Sequence, residues 1–398
     1  MNRRDFLKSS GLASSSMLIP SFLSDFNSQK LYKTRTGKIL VVVQLSGGND
    51  GLNTIVPYRN DLYYKNRPTL GIKNTEVLKV NDELGFNPAL QSLQDLYHNG
   101  LMTIINSVGY PNPDRSHFRS MDIWHTASNS DEYLSTGWLG RYLDSNCAGC
   151  ATPYHALELD DSLSLALKGA QRNGFAASNP EQLKRATGNK FLQALGKAAG
   201  HDHEEENVAY LYKVMIETQQ SADYLYQQSN VHRSNISYPQ NAFAKDLQQI
   251  AELITADTDT KIYYVSLSGF DTHANQKNQQ ERLLQMYADA MQAFVKDLQQ
   301  NHLLDEVLIM TFSEFGRRVA QNASNGTDHG TANKVFLIGG QLQKPGFYNN
   351  APDLLHLDEG DLKFEIDFRH IYASLLDKWL EAPTSQILGQ QFKQLALI

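Results

Sequence analysis

Two short runs in the last third of the chain pair carboxylate with imidazole. Asp271 and His273 stand two residues apart in GFDTHANQ, and Asp328 and His329 are adjacent in GTDHGTAN. Carboxylate oxygen with imidazole nitrogen suits zinc, manganese or iron better than magnesium or calcium. Taken alone, the first pair also fits ordinary turn chemistry. Three further runs carry compatible groups. In LSGGNDGLNT, Asp50 follows Gly47 and Gly48, which permit a tight backbone path. Asp50 is there either a metal ligand or, with Asn49 and Asn53, a turn and cap residue. In GYPNPDRSHFRS, Ser116 precedes a helix that begins near His117. Serine is favoured as an N-cap. The same position gathers backbone N–H groups and the helix dipole, which attract anions. A hydroxyl held there beside a metal can act as a nucleophile. Arg115 and Arg119 either hold an anionic substrate or lie exposed. SEFGRRVAQN adds Glu314, Arg317 and Arg318.

These groups need a scaffold that brings distant segments together. Six continuous apolar runs, at 38–45, 101–108, 154–159, 261–267, 306–312 and 334–338, read as strands buried on both faces. Segments of helical periodicity lie between and after them, at 89–98, 208–227, 242–255, 279–301 and 368–380. The alternation predicts an α/β fold of three layers, α/β/α, around a mostly parallel sheet. In such sheets ligands bind beyond the carboxyl ends of the strands. Asp50, Ser116, the Asp271/His273 pair and Glu314 each follow a strand, and Asp328/His329 lie in a loop leading into the next. Chance does not readily place such groups after separate strands of one sheet. Residues 160 to about 250 are polar and helix-rich, and read as a helical insertion within one domain spanning 35–398. The acidic histidine run at 201–206 could bind metal or be a solvated loop.

Hydrophobic residues make up 41 % of the chain and charged residues 20 %, which fits a soluble globular protein with a sizeable core. A formal net charge of -7 argues against a nucleic-acid-binding surface, which needs clustered Lys and Arg. No run approaches the roughly 18 apolar residues that span a bilayer. The chain begins MNRRDFLKSSGLASSSMLIPSFL, a positive start followed by a modest apolar stretch, the layout of a targeting segment. The paired Arg3 and Arg4 look like a twin-arginine export signal, with a basic disordered tail as the alternative. The export reading sets residues 1–34 aside from the fold, places the protein in the periplasm or outside the cell, and makes the twin-arginine translocation machinery a partner. Cys147 and Cys150, in NCAGC, read as a structural disulfide or two idle thiols, with a redox pair or half a zinc site as alternatives. Without a second pair they exclude a four-cysteine zinc site.

The order of these motifs is Asp after the first strand, Ser at a helix start, Asp and His close together, then Asp-His-Gly. It resembles the alkaline phosphatase superfamily. More closely, the chain is similar to the exported bacterial family called domain of unknown function 1501. The motifs that carry this are the twin-arginine start, LSGGNDGLNT, DRSHF, GFDTHANQ, SEFGRRVAQN, GTDHGTAN and DFRHIY. The resemblance implies an alkaline phosphatase-like fold with one or two divalent transition metal ions, zinc or manganese foremost. By it, Asp50, Asp328 and His329 hold one metal near Ser116, and Asp271 and His273 hold the other. Glu314 is a further ligand or supports one. Ser116 is the nucleophile or, failing that, a ligand, and Arg317 binds substrate oxyanions. The implied activity is that of an exported hydrolase or transferase acting on phosphate or sulfate esters, with an anionic small-molecule or glycan ester as substrate.

The sequence also departs from the superfamily pattern. Neither His356 nor His370 sits in the expected His-Thr-Gly setting, and Asp367 is another option, so the third ligand of the second site is open. Ser116 does not match the C/S-x-P/A-x-R signal of formylglycine sulfatases, nor do the cysteines. The alternative is a non-catalytic exported binding or secretion-associated protein that retains the fold. A metal-free serine hydrolase lacks its G-x-S-x-G elbow. His117, His125 and His155 read as packing or supporting residues.

Overall fold

The computed structural model describes residues 37–146, 155–188 and 218–398. The paired Arg3 and Arg4, the Cys147/Cys150 pair, the histidine run at 201–206 and the first half of the helix expected at 208–227 lie outside the described residues.

Nine strands form the main sheet: β1 (Ile39–Ser46), β2 (Met102–Gly109), β3 (Ala156–Glu158), β4 (Phe175–Ala176), β5 (Ile262–Ser268), β6 (Val307–Phe312), β7 (Asn333–Ile338), β8 (Gly346–Phe347) and β9 (Ile366–Asp367). Their order is β8-β2-β7-β6-β1-β5-β3-β4, with β9 also paired to β2. Every pairing is parallel except those of β7, which runs antiparallel to both β2 and β6. The six apolar runs read from the sequence are the six longest elements in or near this list. Their bounds differ from the expected ones by one or two residues, as strand ends commonly do.

The sheet is covered on both faces, and β1 explains why its sequence is continuously apolar. Val41, Val43 and Leu45 point into one buried cluster, Leu40 and Val42 into another. The first cluster is roofed by α1 (Gln91–His98), α4 (Ala242–Thr255) and α5 (Gln276–Gln300). The second lies under α2 (His117–Thr126), α3 (Trp138–Asn146) and α6 (Phe368–Ser374). The result is the expected three-layer α/β/α arrangement around a mostly parallel sheet. Residues 160–250 contribute β4 at one sheet edge and α4, which packs along α5. A small antiparallel sheet of Ile55–Val56, Leu78–Lys79 and Gly85–Phe86 sits beside a third cluster that includes Leu52, Tyr63 and Val319. Among the described residues no helix is long and apolar enough to cross a membrane.

The antiparallel strand matters for the site. Because β7 runs against its neighbours, the residues before it, not after it, lie at the carboxyl edge. Asn333 at its start pairs with Val108 near the end of β2. Asp328 and His329 therefore reach the same edge as the loops that follow β1, β2, β5 and β6.

Buried titratable groups in the fold give it a pH signature. Glu158, at the end of β3, is 3 % exposed, and its Oε2 accepts the Ser164 N–H at 2.6 Å. Burial lifts its carboxyl from 4.5 to about 7. The folded state then holds the proton more tightly than the unfolded chain. The stabilisation is complete below about pH 4.5 and is lost as pH rises through about 7. Glu158→Gln, which cannot ionise, should therefore gain on the wild type between pH 5 and 8, by on the order of 2 kcal/mol at the upper end. Thermal melts of both proteins across that range check it. A difference that stays flat with pH would contradict the assignment.

Candidate metal centre

The loop after β1 is built to let other segments approach it. Gly47 has φ +113°, a region that L side chains rarely adopt, and a Cβ there would lie 2.4 Å from the Asp271 backbone nitrogen. The loop thus lies directly against the one after β5. Its Gly47 N–H donates to Glu314 Oε1 at 2.8 Å. On the far side, residues 316–318 pair with 328–331 through Arg318 N to Asp328 O (3.0 Å) and Gly330 N to Gly316 O (2.9 Å). These backbone contacts draw the segments carrying Glu314, Arg317, Asp328 and His329 together.

Four side chains converge at this edge. Asp271 Oδ1 lies 3.1 Å from His329 Nε2, 3.0 Å from His273 Nε2 and 3.4 Å from His117 Nε2. His273 Nε2 is 2.9 Å from His329 Nε2. Ligand atoms of His117, Asp271 and His329 all fall within 4.8 Å of one another; His273 stands outside that trio, against its Asp271 and His329 members. The opposite nitrogen of each imidazole is tied to a fixed acceptor. His117 Nδ1 donates to Glu314 Oε1 (2.8 Å), His273 Nδ1 to Asp328 Oδ1 (3.3 Å) and His329 Nδ1 to the Arg115 carbonyl (2.7 Å). A carboxylate or carbonyl cannot donate, so each Nδ1 carries a proton, and a neutral ring then has its lone pair on Nε2, the atom turned toward Asp271.

That arrangement fits a metal ion. The buried Nε2 of His117 has no hydrogen-bond partner, and unpaired buried polar atoms are rare. Imidazoles held from behind by carboxylate or carbonyl are the usual surroundings of metal-binding histidine. The donor set, three imidazoles and a carboxylate, is one that zinc or manganese accepts. The electrostatics agree. The hydrogen bond to Glu314 lifts His117 above the usual imidazole range, against the effect of partial burial. Partial burial also works against ionisation of Asp271, yet the hydrogen bond from Arg317, with His329 close by, holds its carboxyl well below the ordinary carboxylate range.

The other residues expected to act here fall into distinct places. Glu314 is buried, with its Oε1 on His117 and Gly47. Arg317, expected to bind substrate, faces inward with its side chain 0 % exposed. It donates to the carbonyls of Gly47, Gly48 (2.6 Å), Phe270 (3.1 Å) and Thr327 (3.0 Å) and to Asp271 Oδ1 (2.7 Å). Its neighbour Arg318 is half-buried and only loosely held, with Nη1 3.4 Å from the Glu359 carbonyl. Asp328 carries its carboxylate on the outer side of His273, where Asn322 Nδ2 also donates to it at 3.1 Å. This hydrogen bond, with that from His273, lowers its carboxyl below the usual value.

Asp50 is buried and turned away from the convergent group. Its oxygens accept from Leu52 N, Asn53 N, Arg67 Nη1 and Gln276 Nε2. Ser116 occupies the N-cap position of α2, but its hydroxyl makes no capping bond; Asp114 Oδ1 instead accepts the Ser116 N–H at 2.6 Å. Ser116 is exposed, between Arg115, whose carbonyl holds His329, and His117. Arg115 is forked onto buried Asp361, and Arg119 is buried against the carbonyls of Asn129, Ser130 and Glu132. His117, read from the sequence as a packing or supporting residue, turns its Nε2 toward Asp271 while Nδ1 is held by Glu314. A lone histidine in a first helical turn carries no spacing signal; only its place beyond the carboxyl end of β2 could have singled it out.

A family model described as "Protein of unknown function (DUF1501)" matches residues 37–359. The chain belongs to that family. No curated protein matches this DUF1501 chain. Similar solved structures include a protein in the alkaline phosphatase superfamily from Vibrio parahaemolyticus, at 7 % identity over 90 % of this chain and 68 % of that one, with a TM-score of 0.39. The PsFucS1 sulfatase from Pseudoalteromonas sp. is 11 % identical over 94 % of this chain and 73 % of its own, with a TM-score of 0.39. The C-terminal periplasmic domain of EcEptC from Escherichia coli, in complex with Zn, is 12 % identical over 77 % of this chain and 73 % of its own, with a TM-score of 0.37. The site of this DUF1501 protein stands on its own geometry.

Gly47→Ala tests the packing at the loop after β1. With its Cβ against the Asp271 backbone, the variant should lose about 1–3 kcal/mol of stability and bind zinc more weakly, because the loop carrying Asp271 must shift. A thermal melt and a zinc titration measure both. A variant that matches the wild type in each would mean that the two loops do not abut.

Proposed function

We propose that this protein is an exported, metal-dependent hydrolase or transferase acting on phosphate or sulfate esters. The ligands are Nε2 of His117, His273 and His329 together with Asp271 Oδ1, and Ser116 is the nucleophile. The observation that carries the reading is the matched orientation of the three imidazoles. Each is tied at Nδ1 to a different acceptor, and each turns Nε2 toward Asp271.

A bound zinc or manganese ion would supply Lewis acidity toward an ester oxygen and lower the pKa of a coordinated hydroxyl. The chain's own residues do the rest. Glu314, Asp328 and the Arg115 carbonyl keep the proton on each Nδ1 and fix the ring planes. Arg317 keeps Asp271 ionised and immobile. Phe315 packs against both His117 and His329, its ring tilted to each with centroids 4.8 and 4.7 Å away. Ser116 presents an exposed hydroxyl, free of capping duty, at the positive end of α2. Arg318, more exposed than Arg317, is the guanidinium we assign to an anionic small-molecule or glycan ester. Export rests on Arg3 and Arg4 in the leading segment and would make the twin-arginine machinery a partner and the periplasm or exterior the place of action.

Elemental analysis of natively purified protein should find zinc or manganese near stoichiometry, lost in His329→Ala. Ser116→Ala should keep the metal and drop turnover on aryl phosphate and aryl sulfate esters by at least ~1000-fold. Metal bound with no turnover on either ester class by the wild type would replace the hydrolase reading with a non-catalytic binding role. No metal in the wild type, even after reconstitution, would remove both the ligand assignment and the mechanism.

A further inference from the structure

We infer that the centre takes a single metal ion, and that the Arg67 guanidinium serves as the built-in cation beside Asp50 where a second ion would otherwise sit. The inference rests on the metal reading above and adds its stoichiometry.

The resemblance to two-metal enzymes assigns Asp50, Asp328 and His329 to one ion and Asp271 and His273 to another. The side chains do not divide that way. A carboxylate offers about four acceptor positions, and Asp50 has all of them engaged. Oδ1 accepts from Leu52 N (3.1 Å) and Asn53 N (3.3 Å), and Oδ2 from Arg67 Nη1 (2.5 Å) and Gln276 Nε2 (2.6 Å). Both partners of the ion pair are buried, the Arg67 side chain 0 % exposed and that of Asp50 1 %. A cation could reach Asp50 only by expelling the guanidinium.

Arg67 is not free to leave. Nη1 also donates to Asn53 Oδ1 (2.8 Å), Nε to the Val319 carbonyl (2.8 Å) and Nη2 to the Arg318 carbonyl (2.9 Å). The other two expected ligands are committed as well. Asp328 holds His273 from outside, and His329 has its Nδ1 on Arg115, leaving only Nε2 to meet an ion, and that atom faces Asp271. Among the described residues no second group of three candidate ligands converges.

The Asp50–Arg67 pair also performs the mechanical part of a second ion. Through Arg67 it pins the carbonyls that follow Arg317. Gln276 links Asp50 to Thr327, whose hydroxyl donates to Gln276 Oε1 at 2.6 Å, and the Thr327 carbonyl in turn accepts from Arg317. Segments that a metal would cross-link are cross-linked by a permanent charge, so a chelator cannot release them.

The test is a metal count on the full chain. Protein stripped with a strong chelator is titrated with Zn²⁺, and separately with Mn²⁺, by calorimetry, with elemental analysis after gel filtration. Saturation at one ion per chain is expected, with the stripped protein keeping its near-ultraviolet circular dichroism. Asp50→Asn, which retains an acceptor oxygen, should still bind one ion, whereas His329→Ala should lose it. Two ions per chain in the wild type, or loss of the ion in a folded Asp50→Asn, would overturn the single-ion inference and leave the proposed function standing. No ion of either metal in the wild type would overturn both.

Discussion

The guanidinium of Arg317 touches the loop after β1 at Gly47 and Gly48, the loop after β5 at Phe270 and Asp271, and the segment before β7 at Thr327. Arg317 itself follows β6. One buried planar cation thus joins four sequence-distant segments at the carboxyl edge of the sheet. Charge-assisted bonds of this kind are roughly twice as strong as neutral ones. A buried cation deprived of its acceptors costs about 3–5 kcal/mol, so the loops cannot drift from it cheaply. Four of its acceptors are carbonyl dipoles, which leave its full charge to act on Asp271. That is why this half-exposed carboxylate stays ionised amid three imidazoles.

This keystone works because of the sheet beneath it. Parallel strands deliver their ends to one edge, and the single antiparallel strand, β7, delivers its beginning there. The large parts of this plan were legible in the sequence. A strand buried on both faces must be apolar at every position, and the β1, β5 and β6 runs say so directly. The direction of β7 was not legible, since an apolar run is the same read either way. Nor were β4, β8 and β9, two-residue strands too short to impose a pattern.

The site was legible in its residue types and not in its partnerships. Asp271, His273, Asp328 and His329 drew attention because carboxylate and imidazole close in sequence can converge on one ion. Their division of labour depends on which ring nitrogen meets which acceptor, and that is fixed only by the tertiary packing of Glu314 and the Arg115 carbonyl. Asp50 looked equivalent to the others in sequence. What separates it is an arginine 17 residues on, whose guanidinium reaches it in the interior. Arg317 and Arg318 are adjacent, and nothing local decides which faces in. The backbone of 316–318, paired with 328–331, turns the first toward the sheet and the second outward.

The charge balance behind the imidazoles points the same way as the tautomers. Two buried guanidinium groups, Arg67 and Arg317, face three carboxylates, Asp50, Asp271 and Glu314. Arg67 pairs with Asp50, and Arg317 with Asp271. Glu314 has only His117 and backbone or hydroxyl donors. A proton on His117 Nε2 would complete that balance, and the upward shift of His117 expresses the demand. A divalent ion meets the same demand with more charge and serves the lone pairs of His273 and His329 as well, which a single proton cannot. The three anchors thus hold the rings in the orientation that the proposed metal reading requires.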